Sequence, residues 1–349
     1  MKKLLITLGL TMLTACLLWA QETVVTATTV EDSSAEAAYN EGTELLQAKK
    51  YSEALLKFNE AIEIRPDFEK AYLNRATAHS ELKDFQSVVI DYNQAISLEP
   101  TAPAYFGRAQ AQYELKKFDE AKSDYAKAFE LDPAYAQAYY YLGGIFFEQK
   151  KYDEAITNYN MAINSKKDYA YAYNDRAGCY RMLEQFDKAL ADYDKAIAFA
   201  ENNSSFYSNR GSLKRQMNKP EEAIRDYDEA LKIKADDYLV LNNRGLAKFD
   251  AGKYKEAVDD YSAVIKLKSD YAYVYNNRGN ANYKLKDYET AIKDYNEAIR
   301  INPEYGYAYL NRGISKEMIR DEKGACADWQ KAVEKGVTSA ETYVKGQCF

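Results

Sequence analysis

Small and aromatic residues recur along this chain at a fixed interval, with polar residues between them. Gly42, Ala76, Ala109, Gly143, Ala177, Gly211, Gly245, Gly279 and Gly313 stand 34 residues apart, except for one step of 33. Twelve residues after each comes a second small column, running from Ala54 to Ala325 with Val88 as its larger member. Four further on is a ring: Phe58, Tyr92, Tyr125, Tyr159, Tyr193, Tyr227, Tyr261, Tyr295 and Trp329. Three beyond that lies a third small column, Ala61 to Ala332, broken only by Val264. A further tyrosine precedes the first column by four residues at Tyr72, Tyr105, Tyr139, Tyr173, Tyr207, Tyr275 and Tyr309.

Steps of three and four residues put such columns on one helical face. Small residues let two helices approach, and a ring fills the space beside them. Each period therefore predicts two helices joined by a short turn, such as Leu115-Lys116-Lys117 or Leu285-Lys286-Asp287. Acids open the second helix, as at Asp119-Glu120 and Glu221-Glu222, where the helix dipole favours them. Pro66, Pro100, Pro133 and Pro303 stand where second helices end, because proline cannot continue a helix.

The period and its columns resemble the tetratricopeptide repeat family, as found in exported bacterial proteins. The resemblance covers residues 35–339 as nine repeats. It implies an all-α fold, a right-handed α-α superhelix of nine helix-turn-helix repeats with a concave groove. Stability would then be roughly a sum of repeats and neighbour interfaces. An open end needs a cap, and residues 340–349 are expected to supply a short capping helix.

One departure from the family pattern carries information. The family often has Leu just before the first small column. Here that position holds Arg75, Arg108, Arg176, Arg210, Arg244, Arg278 and Arg312. In the same repeats, Asp91, Asp124, Asp192, Asp226, Asp260, Asp294 and Asp328 follow the column by fifteen residues. Repeat one reverses the charges with Glu41 and Lys57, and repeat four has neither, with Leu142 and Asn158. The matched exceptions predict an ion pair between the two helices of each hairpin.

Composition narrows the chemistry. The chain has 47 Lys+Arg against 54 Asp+Glu, a net charge of −7, which becomes −9 if Lys2 and Lys3 are lost with a leader. An acidic chain without a basic stripe is a poor nucleic-acid binder. His79 is the only histidine, so no paired-His metal motif exists, and no phosphate-binding loop, nucleophile elbow or C-x-x-C is present. No enzymatic activity, cofactor or metal is expected. Tyrosine is abundant, at 33 residues, but eighteen fall in structural columns, counting Tyr51, Tyr152, Tyr254 and Tyr288 before second helices. Most of the excess therefore reads as core.

Residues 1–20 read as a signal peptide: Met1-Lys2-Lys3, then an uncharged stretch from Leu4 to Ala20, too short to span a bilayer comfortably. Two processing outcomes fit. Cleavage after Ala20 leaves Gln21 first. Alternatively Leu13-Thr14-Ala15-Cys16 resembles a lipobox, with Cys16 acylated as the one membrane contact. Either implies export to the periplasm or cell envelope. Residues 21–34 are Thr-rich and read as a flexible linker. Asn202-Asn203-Ser204 matches a glycosylation sequon, which carries little meaning in a bacterial-type export context.

At the other end, Val337-Thr338-Ser339 reads as a turn midway between Cys326 and Cys348. An antiparallel hairpin there would bring the two cysteines together, and export permits a disulfide. Cys179 lies on a packed face and reads as a buried free thiol.

In this family the groove is lined by first-helix residues, including the one two before the small column. That column contains Asn40, Asn74, Asn209, Asn243, Asn277 and Asn311. An amide both donates and accepts, so it suits the backbone of an extended peptide. Asn242, Asn276, Asn280, Tyr171, Tyr273 and Tyr307 are expected beside it. The expected function is a non-enzymatic scaffold binding an extended peptide or protein segment. Alternatives are a structural subunit of an envelope or secretion complex docking by its outer face, and a glycan-binding module.

Overall fold

The structure is a computed structural model and describes residues 33–348. The expected signal peptide, Cys16 and residues 21–32 lie outside the described residues. Among the described residues there are nineteen α-helices and no strand. Packing divides the chain into two units that meet at Lys167 and Asp168.

The first unit holds four hairpins: α1 (Ser33–Gln47) with α2 (Tyr51–Ile64), α3 (Glu69–Glu81) with α4 (Phe85–Leu98), α5 (Ala102–Glu114) with α6 (Phe118–Leu131), and α7 (Ala136–Glu148) with α8 (Tyr152–Ser165). The second holds five: α9 (Ala170–Met182) with α10 (Phe186–Phe199), α11 (Ser204–Gln216) with α12 (Pro220–Ile233), α13 (Tyr238–Asp250) with α14 (Tyr254–Leu267), α15 (Ala272–Lys284) with α16 (Tyr288–Ile301), and α17 (Gly306–Met318) with α18 (Glu322–Glu334). A single 3-10 turn, Thr338–Ala340, then leads into α19 (Glu341–Gln347). Helix α1 begins at Ser33, so the last two residues expected in the linker are helical.

The turns inside the hairpins share one backbone device. Lys49, Lys83, Lys116, Lys150, Glu184, Asn218, Gly252, Lys286 and Arg320 all have φ between 58° and 77°. The residue after each donates back into the first helix, as from Lys117 N to Gln112 O at 2.8 Å. This left-handed residue ends the helix and satisfies its last carbonyls.

The ring column forms the core of each hairpin. Phe58, Tyr125, Tyr159, Tyr193, Tyr227, Tyr261, Tyr295 and Trp329 are at most 2% exposed, whereas Tyr92 is only half-buried. The small column faces the rings. A Cβ added at Gly245 would lie 2.6 Å from Cε1 of Tyr261, which is why the smallest residue stands there. The −4 tyrosines have a second task. Tyr72, Tyr105, Tyr173, Tyr207, Tyr275 and Tyr309 each lie 5.3–5.7 Å from the guanidinium three residues later, a cation–π contact.

Cys326 and Cys348 are joined by a disulfide, with Cα atoms 5.5 Å apart. It ties α19 over the last hairpin, where Tyr343 lies 5.0 Å from Trp329. Leu310, Val337 and Ala340 complete this end cluster. Cys179 is buried and takes part in no disulfide.

Candidate functional site

The Arg and Asp columns meet in every repeat that carries them. In all seven pairs the guanidinium donates through both Nε and Nη2 to the Asp of its own hairpin, as from Arg176 to Asp192 with both contacts at 2.7 Å. The carboxylates are buried, with side chains 2–6% exposed. Repeat one keeps the reversed pair, Lys57 to Glu41 at 2.9 Å. In repeat four, Leu142 is buried and Asn158 donates within its own helix to Glu154 O.

Two further layers of this network are not evident from the sequence. The Nη1 of the column's arginines bridges to the preceding hairpin, as from Arg75 to Asn59, Arg108 to Asn93, Arg210 to Asp194, Arg244 to Asp228, Arg278 to Ser262 and Arg312 to Asn296, at 2.7–3.1 Å. In addition a side chain four residues after the Arg reaches the same Asp. Lys214, Lys248 and Lys316 do so at 2.9–3.0 Å, and Asn282 at 2.9 Å. Repeats one and four, which lack the Arg–Asp pair, carry Leu45 and Phe146 there. The network binds hairpin to hairpin, and Arg210, Lys214, Asp226, Asp228 and Arg244 of it line an open cavity of about 750 Å³.

In the second unit, neighbouring first helices (α9, α11, α13, α15, α17) approach each other more closely than neighbouring second helices do. The first helices therefore line the inner, curved face of that unit. The asparagines of both units are arranged differently from the expected peptide-facing ladder. Asn74, Asn242 and Asn276 are buried, at 4–6% exposed. Asn209 donates to Asn174, Asn277 to Asn242 and Asn311 to Asn276, at 2.9–3.2 Å across adjacent repeats. In the first unit Asn74 donates to the hydroxyls of Tyr39 and Thr43, both at 3.1 Å. Asn280 accepts from the Tyr295 hydroxyl at 2.9 Å. Buried amides must find partners, and the nearest are each other. So Asn74, Asn242 and Asn276 are corrected from groove residues to inter-repeat cement. Asn209, Asn243, Asn277 and Asn311 remain half-buried on the face, and Asn40 is exposed. The 35-residue offset of these pairs, one more than the repeat, and the doublets Asn242-Asn243 and Asn276-Asn277 are the signal that could have revealed the cement.

The expected tyrosines are open. Tyr171, Tyr273 and Tyr307 are 42%, 48% and 57% exposed. Tyr171 stands edge-on to Phe206 at 5.3 Å. Tyr273 belongs to a longer strip: Tyr238 to Tyr271 is 6.0 Å between ring centres, Tyr271 to Tyr273 is 5.7 Å, and Tyr273 to Tyr305 is 4.8 Å. Burial, and then the phenols of Tyr273, Tyr271 and Tyr307, push the Tyr305 hydroxyl up to about 12. The Tyr305 phenol is thus a neutral donor at ordinary pH. Elsewhere on this face, Arg215 donates to Asp250 at 2.5 Å.

Family models described as "Tetratricopeptide repeat" match residues 69–101, 106–170, 204–237 and 272–305, and one described as "TPR repeat" matches 245–286. Small glutamine-rich tetratricopeptide repeat-containing protein 2 of Saccharomyces cerevisiae is 38% identical over 69 residues, 20% of each chain, so this chain spans about a fifth of that relative's length. Among solved structures, a tetratricopeptide repeat protein from Parabacteroides merdae superposes with a TM-score of 0.55 at 19% identity, covering 70% of this chain and 97% of that one. The APC/C hetero-tetramer Cut9–Hcn1 gives 0.55 at 14% identity, covering 90% and 76%. At these identities the likeness is one of fold.

Proposed function

Since this chain belongs to the tetratricopeptide repeat family, we propose that it is a non-enzymatic scaffold for protein–protein contact. In this reading the inner face of the second unit holds an extended segment of a partner protein. The observation that carries it is the set of exposed rings on that face, Tyr273 and Tyr307 above all, beside the half-buried amides of Asn277 and Asn311. Large exposed rings are costly to leave in water and mark contact surfaces. The Arg–Asp network supports the same role by holding the first helices rigidly, which lowers the ordering cost of binding.

Random-peptide display on the full chain tests this. Peptides recovered on wild type and lost on a Tyr273→Ala, Tyr307→Ala variant support the inner face. A second reading rests on Leu56 and Ile90, which are 68% and 63% exposed on the second helices α2 and α4. There the chain docks by its outer face as a subunit of an envelope or secretion complex. Recovered ligands that ignore the tyrosine variant but are lost on Leu56→Ser, Ile90→Ser would favour it.

The proposed setting is the bacterial cell envelope, reached through residues 1–20. Acidic charge argues against nucleic acid as the partner. Membrane attachment would come only through an acylated Cys16. Detergent partitioning lost on Cys16→Ser would show the lipid anchor, and equal solubility of both forms would show plain secretion.

A further inference from the structure

One member of the charge network changes its charge near neutral pH. The place four residues after the column arginine is held by Lys214, Lys248 and Lys316 in repeats six, seven and nine, each 2.9–3.0 Å from its Asp. In repeat two the same place is held by His79, the only histidine of the chain. Its Nε2 lies 4.0 Å from Oδ2 of the buried Asp91, and its Nδ1 lies 3.5 Å from Oδ2 of the half-exposed Asp84. The imidazole is itself only 20% exposed, so both ring nitrogens are held between carboxylates.

The protonated ring suits that place best. A neutral imidazole has one N–H and one lone pair, so it donates to one carboxylate and turns its lone pair on the other. The imidazolium donates from both nitrogens. His79 also stands in the last turn of α3, where the helix dipole draws cations.

The charged groups that face it are Asp91 on α4, Asp84 at the N-cap of α4, and Arg75 one turn earlier on α3, which is bonded to Asp91. From α2 the neutral Asn59 takes the Nη1 of Arg75. Helix α1 meets α3 through the neutral Tyr39 and Thr43, which take Asn74. Arg108 of the next hairpin bonds Asn93 of α4 and its own Asp124. Asp84 is fixed at the start of α4, accepting from Ser87 N at 3.3 Å and from Ser87 Oγ at 2.7 Å. A charged His79 therefore ties the end of α3 to both the start and the middle of α4.

We propose that His79 is a pH-sensitive latch of the second hairpin: protonated, it holds α3 to Asp84 and Asp91, and deprotonation loosens that hold. The stabilisation is present in acid and is lost as pH rises through the range in which an imidazole gives up its proton, about pH 5–8. Lysine at the same place in repeats six, seven and nine makes the tie without the pH dependence. The element that loosens carries Ile90, the exposed neighbour of Asp91 on which the outer-face reading partly rests.

Native-state hydrogen exchange of the full chain tests this, with protection expressed relative to the unstructured chain at each pH. From about pH 7.5 to about pH 5.5, amides of α3 and α4 are expected to gain about threefold or more in protection, the scale of a half-buried imidazolium at a helix C-terminus. Hairpin six, tied by Lys214, is the internal control and is expected to change clearly less. His79→Gln keeps a polar side chain without the titration and is expected to lose the gain. His79→Lys, which copies Lys214, is expected to keep the protection at both pH values. A gain that persists in His79→Gln, or a second hairpin that changes no more than the sixth, overturns the proposal. So does a His79→Lys protein as loose in acid as the glutamine variant, which would mean that the residue only fills space.

Discussion

Asp294 accepts from Arg278 through Nε at 3.1 Å and Nη2 at 2.6 Å while only 3% exposed between the two helices of hairpin eight. The same Arg278 donates from Nη1 to Ser262 on the preceding hairpin at 3.1 Å. One side chain thus closes its own repeat and couples it to its neighbour. In a repeat array, where stability is a sum of repeat and interface terms, such a residue contributes to both.

Removing one partner leaves the other short of its hydrogen bonds. Arg278→Leu and Asp294→Asn are each expected to cost about 1.5–3 kcal/mol. The double variant, which imitates Leu142 and Asn158 of repeat four, is expected to cost clearly less than the sum. Urea unfolding of the four proteins in a double-mutant cycle measures this coupling. Additive losses would mean that the pair does not act as a unit.

Asp294 also differs from Asp226, Asp260 and Asp328 in its second partner, Asn282 rather than Lys. Burial raises its carboxyl above the 3.8 of an ordinary aspartate, although Arg278 and Asn282 pull it down. A raised folded pKa means that this group favours folding fully below the unfolded value. That contribution is lost as pH rises through the folded pKa. Asn282→Lys, which copies Lys248 beside Asp260 at 3.0 Å, is expected to lower the Asp294 midpoint in a carboxyl NMR titration. It is also expected to make stability fall less as pH rises through that window. An unmoved midpoint would show that the added ammonium does not reach the carboxylate.

The Cys326–Cys348 bridge closes a loop with a sequence separation of 22. Cys348→Ser is expected to cost about 3 kcal/mol, with hydrogen exchange rising first in α18 and α19. Nonreducing peptide mapping of oxidised protein is expected to recover the bridged pair. Cys179, 0% exposed, is expected to react with alkylating agents only after unfolding. Three alkylatable thiols in native oxidised protein would refute both statements.

Gly313 packs on the largest ring of the column. A Cβ there would meet Nε1 and Cδ1 of Trp329 at 2.5 and 2.6 Å, and Trp329 is 1% exposed with no room to turn. Overpacking costs about 1–3 kcal/mol, against about 1 gained from helix propensity. Gly313→Ala is therefore expected to destabilise by about 1 kcal/mol in thermal unfolding. A raised melting temperature would mean that the tryptophan shifts as the tyrosines opposite Ala76, Ala109 and Ala177 accommodate theirs.

The repeat itself was legible because helix packing is periodic. Small residues at Gly245 and Ala257 and a ring at Tyr261 recur in register, and nothing but two close helices needs that set. The Arg278–Asp294 contact was legible for a related reason: partners within one hairpin keep a constant separation, so their exceptions in repeats one and four coincide. The turns were less legible. A left-handed residue favours Gly, yet Lys49, Lys83, Lys116, Lys150 and Lys286 adopt it, since the packed helices on either side impose the conformation.

What the sequence by itself determined inside a hairpin is the small columns, the rings and the Arg–Asp pairs, because chain connectivity fixes which residues can meet there. Contacts between hairpins were decided by the tertiary structure. Whether Asn277 turns to a ligand or to Asn242 depends on how closely α15 lies against α13, and at 3.2 Å it turned to its neighbour. Tyr273 and Tyr275 are the same residue type two positions apart, yet one is 48% exposed and the other 8%. The difference is the direction in which each leaves α15 relative to the next helix, a relation that no single repeat contains.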